Sequence, residues 1–283
     1  MSKSFHILTA LFAVLFFYSC SKEESFEINN NNNPGNPSTG LLVKTVANFG
    51  LDSTIVLYAY DAQKRMTRQI ITSQDPNFIN EDRRIVRAAD GHIQQVVYRS
   101  DEYVMIGVDS VVYNVYYNGT SYTHKILQFE DRSGVEHKDS TAYTYDAQNR
   151  IIKEEEFSYD PVGGTYIADT KADYSYDGSG IVKVDISHFD TDINNYQLVS
   201  QTTAEYDDKE SPLSLGNEGI VIDQYHLWNS HNPTKESVVY PDEPSENTAS
   251  SATYTYNDKN KPMVATVTEA NSGLSFIITF YYQ

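Results

Sequence analysis

From Leu41 onward, apolar and polar residues alternate with a period of two, which sends successive side chains to opposite faces of an extended strand. In 54–60, Thr54, Val56, Tyr58 and Tyr60 face one way, and Ile55, Leu57 and Ala59 the other. The same alternation sets Ile181, Lys183, Asp185 and Ser187 against Val182, Val184, Ile186 and His188. Turn-forming pairs interrupt these runs at short intervals, among them Asp90-Gly91, Asn118-Gly119, Gly163-Gly164, Asp177-Gly178, Asn194-Asn195 and Ser272-Gly273. Connections this short join antiparallel neighbours, so the pattern predicts an all-β fold of about 14 to 16 strands, laid out as a large curved antiparallel meander sheet or barrel. One stretch breaks the rhythm. Residues 211–230 carry Ile222, Tyr225 and Trp228 at helical spacing, which predicts a short helix or long loop lying against the sheet or plugging its open end. Tyr225 and Trp228 are the candidate wall of a ligand pocket there, although a tryptophan at such spacing serves more often as a core anchor.

Within the alternation a motif repeats: Tyr58-Ala-Tyr60-Asp61 to Arg65-Met66, Tyr143-Thr-Tyr145-Asp146 to Arg150-Ile151, Tyr174-Ser-Tyr176-Asp177 to Gly180-Ile181, and Tyr254-Thr-Tyr256-Asn257 to Asn260-Lys261. Two tyrosines at i and i+2 share one strand face, where their rings cover neighbouring strands and their hydroxyls are expected to reach water. Asp or Asn then ends the strand by bonding its own turn, a residue tolerant of positive φ closes it (Asn149, Gly180, Asn260), and an apolar residue starts the return. A lone hairpin is marginal, so the copies are expected to share one sheet.

These motifs resemble the tyrosine-aspartate (YD) repeats of secreted bacterial proteins. Together with His231-Asn232-Pro233-Thr234-Lys235 and the closing Phe276 to Tyr282 run, they resemble a family of Bacteroidetes surface lipoproteins of unknown function with a porin-like fold. The resemblance spans about Leu41 to Gln283 and implies a porin-like β domain; it implies no activity. Lys64 stands where the repeat has Gly or Asn, and Lys261-Pro262-Met263 departs from the usual turn.

The charges argue against a membrane-embedded barrel. In 150–157 ionisable groups fall mid-strand on both faces, and Arg83, Arg84 and Arg87 do the same beside Ile85 and Val86. A lipid-facing charge near the bilayer midplane costs about 2–4 kcal/mol, so a porin-like but soluble sheet or barrel is expected.

Ahead of this domain, Lys3 and the apolar run from Phe5 to Tyr18 have the form of a signal peptide, and the run stops at Ser19-Cys20. Cys20 is the single cysteine of the chain, which excludes intrachain disulfides and cysteine-built metal sites. Its position resembles a bacterial lipoprotein signal, so 1–19 is expected to be removed and Cys20 to carry lipid. Ser21-Lys22-Glu23-Glu24 resembles the export signal that sends Bacteroidetes lipoproteins to the outer face of the outer membrane. The Asn/Pro/Gly-rich residues up to Gly40 have nothing to bury, so 20–40 is expected to be a flexible tether before a single β domain, 41–283. The membrane is therefore expected to be a partner through the lipid alone.

With 21 Lys plus Arg against 39 Asp plus Glu, the net charge of −18 opposes nucleic acid and anionic membrane surfaces. Asp190, Asp192 and Asn194 have the oxygen spacing that opens a calcium loop, but the glycine is missing and Gln201 stands at the twelfth position, so a hairpin loop is the stronger reading. The histidines form no HxH or HExxH, and no GxSxG, Walker A or GxGxxG motif occurs, so neither a metal, a cofactor nor a catalytic residue is assigned. Consecutive residues of Glu154-Glu155-Glu156 point to opposite faces, and the run is expected to be a solvated strand surface. These features lead to a non-catalytic, lipid-anchored surface module binding a glycan, a protein or a small apolar molecule. A hydrolase acting on envelope or dietary polymers through carboxylates brought together across strands, and a structural subunit of an outer-membrane complex, are the alternatives.

Overall fold

The computed structural model describes residues 40–50, 52–75, 78–178, 180–223 and 230–283. The protein is all-β. Its sixteen described strands follow one another as an antiparallel meander whose hydrogen-bonded order closes, β16 (Ser275–Tyr282) returning to β1 (Leu42–Asn48). The chain divides into two compact units, one of 1–82 with 248–283 and the other of 83–247.

In the first unit β3 (Met66–Ser73), β2 (Ser53–Tyr60), β1, β16, β15 (Pro262–Glu269) and β14 (Thr248–Tyr256) pair in that order. Leu42, Met66, Pro262, Ala265 and Tyr282 are among its buried apolar residues. Arg68 grips Asp82 with two bonds, Nε to Oδ1 at 2.8 Å and Nη2 to Oδ2 at 2.7 Å.

The second unit runs from the rest of β4 (Glu81–Arg87) through β5 (Ile93–Ser100), β6 (Val111–Tyr117), β7 (Tyr122–Glu130), β8 (Glu136–Tyr145), β9 (Ile151–Asp160), β10 (Thr165–Asp177), β11 (Gly180–Asp190), β12 (Asn195–Glu210) and β13 (His231–Val239). A helix absent from the sequence-based expectation, α1 (Asp101–Met105), follows β5; the Ser100 side chain caps it by accepting from the Tyr103 N–H at 3.4 Å, and Asp101 and Glu102 complement its positive end. A second helix, α2 (Asn217–Val221), lies inside the expected 211–230 segment. It ends earlier than the Ile222, Tyr225, Trp228 spacing implied: Ile222 is its C-cap and Asp223 turns left-handed at φ 58°, a conformation that stops a helix. Tyr225 and Trp228 lie outside the described residues, as do Cys20 and Ser21 to Glu24.

The repeated motif builds a shared hairpin. Asp61 Oδ1 accepts from the N–H groups of Gln63 and Arg65, both at 2.9 Å, while Arg65 Nε donates to Oδ2 at 2.8 Å. Asp146 repeats the pattern with Gln148 and Arg150, and Asn257 with Lys259 and Lys261. Asp131 does so as well, with Ser133, Val135 and a left-handed Gly134, although no Tyr-x-Tyr pair announces that copy. In the hairpins that end in Tyr60, Tyr145, Tyr176 and Tyr256, the register slips beside the second tyrosine, leaving one extra residue on the return strand. That tyrosine then faces a buried residue: Met66, Ile151, Ile181 or Pro262.

The hydroxyls correct the expectation that they reach water. Tyr60 donates to the Leu42 carbonyl at 2.7 Å, Tyr145 to Tyr122 at 2.8 Å, Tyr176 to Ile151 at 2.6 Å and Tyr282 to Pro262 at 2.8 Å; Tyr206 bonds the Ile181 carbonyl in the same way. The accepting carbonyl belongs to the residue that opens the preceding strand, or lies one place inside it, so each hydroxyl reaches across to that strand and satisfies a backbone oxygen that burial would otherwise leave costly.

Candidate functional site

Register assigns the side chains of the second unit to two faces with different chemistry. On one face Lys153, Asp173, Asp185 and Gln201 form a cross-strand row, and Glu155 stands opposite Lys171. Ion pairs run along the strands of this face, Lys153–Glu155 at 2.8 Å, Lys171–Asp173 at 2.9 Å and Lys183–Asp185 at 2.6 Å. It is a wet, charge-laced surface.

The opposite face carries the row Val115, Lys125, Thr141, Glu156, with Tyr143 directly across from Glu154 in the next row. The segment bearing α2 is fastened to this unit at three points. Arg87 of β4 clasps Glu218 through two 2.7 Å bonds, and the Tyr122 hydroxyl donates to the same carboxylate at 3.1 Å. Asn217 reaches the β8–β9 hairpin, its Nδ2 donating to the Asn149 carbonyl at 2.7 Å and its Oδ1 accepting from the Ile151 N–H at 3.1 Å. Asp223, just past the helix, pairs with Lys125.

Lys125 is the centre of the arrangement. Its side chain is 2% exposed, yet it bears an ammonium, because Asp223 pairs with it, Glu154 Oε1 lies 3.7 Å away and the Tyr113 ring lies 5.2 Å from Nζ. Burial alone would pull its pKa down; Asp223, the nearby tyrosines and Glu154 outweigh that and hold it well above the ordinary lysine value.

The carboxyls respond in the opposite sense. Burial pushes Glu154 up, against the pull of Lys125, while Glu154 Oε2 accepts from the Tyr174 hydroxyl at 2.9 Å. Glu156 is pushed up by burial and then by the charge of Glu154 beside it. Burial raises Asp139 of β8 and lifts Glu236 of β13 to about 7. Tyr143 is held well above the usual tyrosine range, burial first among its causes.

This corrects the reading of 154–156 as a solvated surface. Adjacent glutamates do point to opposite faces, but Glu154 and Glu156 are two apart and share one, the face where Lys125 Nζ lies 3.7 Å from Glu154; Glu155 alone of the three joins the wet face. Nothing in the run itself distinguishes those faces. The signal lay in Lys125, a cation at period two with the apolar Leu127 and Phe129.

Asp190, Asp192 and Asn194 form the β11–β12 hairpin: Asp190 Oδ1 accepts from the N–H groups of Asp192 at 2.8 Å and Ile193 at 3.4 Å, and Asn194 is left-handed at φ 53°. Among the described residues, no group of three or more His, Cys, Asp or Glu is arranged to hold a metal ion.

Residues 91–207 match the model of a family of unknown function, DUF3836. No curated protein matches the sequence. In fold, the chain is similar to a porin-like protein from Bacteroides vulgatus, at 12% identity and a TM-score of 0.53, over 86% of this chain and 98% of that one. A porin-like protein from Bacteroides uniformis matches at 10% identity and a TM-score of 0.47, over 88% and 98%. A DUF3836 family protein from Parabacteroides distasonis matches at 16% identity and a TM-score of 0.28, over 31% of this chain and 82% of that one.

Proposed function

We propose that the protein is a non-catalytic binding module, held on the exterior face of the outer membrane by a lipid on Cys20, whose ligand seats on the α2-bearing face of the second unit. The observation that carries this reading is the contrast between that unit's faces. One is an ion-pair surface suited to water, with charges mid-strand where a spanning strand would present lipid-compatible side chains. The other gathers Lys125, Glu154, Glu156 and Tyr143 in partial burial, an arrangement costlier than an apolar core of the same shape and therefore suited to recognition.

A hydrolase is the second reading, favoured by two raised carboxyls on one face. Glu154 and Glu156 project from one strand in one direction, however, whereas glycoside hydrolysis needs carboxyls that flank the scissile bond. Screening the full-length protein against arrays of glycans and envelope proteins, with product analysis of every glycan bound, tests the assignment. Retention without cleavage supports the module; cleavage that Glu154→Gln and Glu156→Gln abolish would replace it with the enzyme.

A further inference from the structure

The acidic side of this face carries more acceptors than its own cation uses. Glu154, Glu156 and Asp223 surround Lys125, but the Lys125 ammonium is committed to Asp223, and Glu154 Oε1, at 3.7 Å from Nζ, lies in ion-pair range without a hydrogen bond. Oε1 has no hydrogen-bond partner. A second, independent observation comes from β8. Tyr143 is 9% exposed, stands directly opposite Glu154, and its hydroxyl is buried with no hydrogen-bond partner. A buried phenol and a buried carboxylate oxygen left open side by side are a standing cost that a ligand would remove.

The vacant groups define the ligand. Both can accept, and the carboxylates demand positive charge, so neutral sugars and anions fit poorly. A divalent cation needs six or more converging oxygens, and no metal-ligating group of three acidic or histidine side chains occurs among the described residues. An alkylammonium needs only about three acceptors and tolerates aromatic walls, such as the Tyr113 ring already lying 5.2 Å from Lys125 Nζ. The Asp223 side chain, on the far side of the nearly buried Lys125, is 45% exposed.

We infer that Glu154, Glu156 and Tyr143 form a binding site for the ammonium head of a small organic amine. Glu154 Oε1 and the Tyr143 hydroxyl accept its N–H groups, and Glu156, two residues along the same strand face, supplies the second negative charge. This rests on the reading of the chain as a binding module and names the chemistry of its ligand.

The test is calorimetric titration of the full-length protein with n-butylammonium, with n-butanol as the neutral control. Saturable one-to-one binding of the amine and none of the alcohol is expected. Glu156→Gln should weaken binding by about tenfold and Tyr143→Phe severalfold, the losses that follow from removing a negative charge beside the ammonium and one acceptor of its N–H groups. Asp192→Asn, at an exposed hairpin tip, should leave affinity unchanged. Both weakening changes conserve shape, and circular dichroism of each variant establishes that the fold is retained. Binding should also expel protons near neutral pH, read as a heat that varies with the ionisation enthalpy of the buffer, because the amine competes for carboxyls that hold protons there. Absence of saturable binding, equal binding of the alcohol, or affinity that neither Glu156→Gln nor Tyr143→Phe changes would overturn the site. If the array screen still finds a ligand, the module reading survives that failure; if cleavage is found instead, both fall.

Discussion

Arg87 and Glu218 are separated by 131 residues and meet through two parallel 2.7 Å bonds, which bring the α2 segment onto β4. Arg87 is 7% exposed and also donates to the Gly91 carbonyl at 2.9 Å, so this is a fixed, desolvated fork. Glu218→Gln should cost about 3 kcal/mol by leaving a buried guanidinium short of its counter-charge. Guanidinium chloride unfolding measures the loss, and limited proteolysis should show new cleavage between 211 and 223. A variant as stable and as protease-resistant as the parent would mean that the clasp does not hold the segment.

The tyrosine locks make a second expectation. Tyr145→Phe and Tyr176→Phe each leave a backbone carbonyl, of Tyr122 or Ile151, without its donor, and each should cost about 1–2 kcal/mol. Tyr116→Phe, at a 44% exposed ring, should change stability by less than about 0.5 kcal/mol. Comparison of the three denaturation midpoints checks the assignment, and equal effects would remove the special role of the motif's second tyrosine.

Lys64 sits at φ 63°, where its counterparts Asn149 and Asn260 adopt 59° and 56°. A side chain without local hydrogen-bonding capacity is strained there, so Lys64→Asn should raise stability by about 0.5–1 kcal/mol, seen as a higher melting temperature. A lower one would indicate that the lysine contributes more than its backbone conformation costs.

Buried carboxyls set the pH dependence. Glu154, Glu156 and Glu236 have pKa values raised above the ordinary 4.5, the last to about 7. The native state then binds more protons than the unfolded chain between those limits, so their stabilising contribution is complete below about pH 4.5 and is lost as pH rises toward 7 and beyond. The turn carboxylates oppose this at the acid end. Asp61 and Asp146 are lowered chiefly by backbone hydrogen bonds within their turns, and their contribution disappears as pH falls below the usual aspartate range. Melting temperature should therefore peak in the mildly acidic range and decline toward pH 8, and Glu236→Gln should flatten the decline. A melting temperature that climbs steadily from pH 5 to pH 8 would contradict the burial of these groups.

The strands and turns were legible because their signals are local. Alternation across 54–60 and the Asp or Asn of each repeated turn involve residues within a few positions of one another, and the structure places β2 and the β2–β3, β8–β9 and β14–β15 turns there. The hydroxyl targets were not legible, since Tyr145 and the Tyr122 carbonyl meet only after β7 and β8 pair. The candidate site lay further out of reach. Strand β9 alternates charge on both faces, and only the arrival of Lys125 from β7 and Asp223 from beyond α2 makes Glu154 and Glu156 differ from Lys153 and Glu155. The calcium-like spacing at Asp190 misleads for the converse reason: turns select the same oxygens that metals do, and here an Asp190 oxygen bonds its own backbone.

The reading proposed above has a lipid on Cys20, and not the strands, hold this protein to a membrane. Detergent phase partition of the chain produced in a lipoprotein-processing host, beside its Cys20→Ser variant, tests it most directly. The account predicts that the parent enters the detergent phase and the variant the aqueous phase, as a β-domain with ion-pair ladders on its surface should. A variant that remained in the detergent phase would mean that the strands themselves meet lipid.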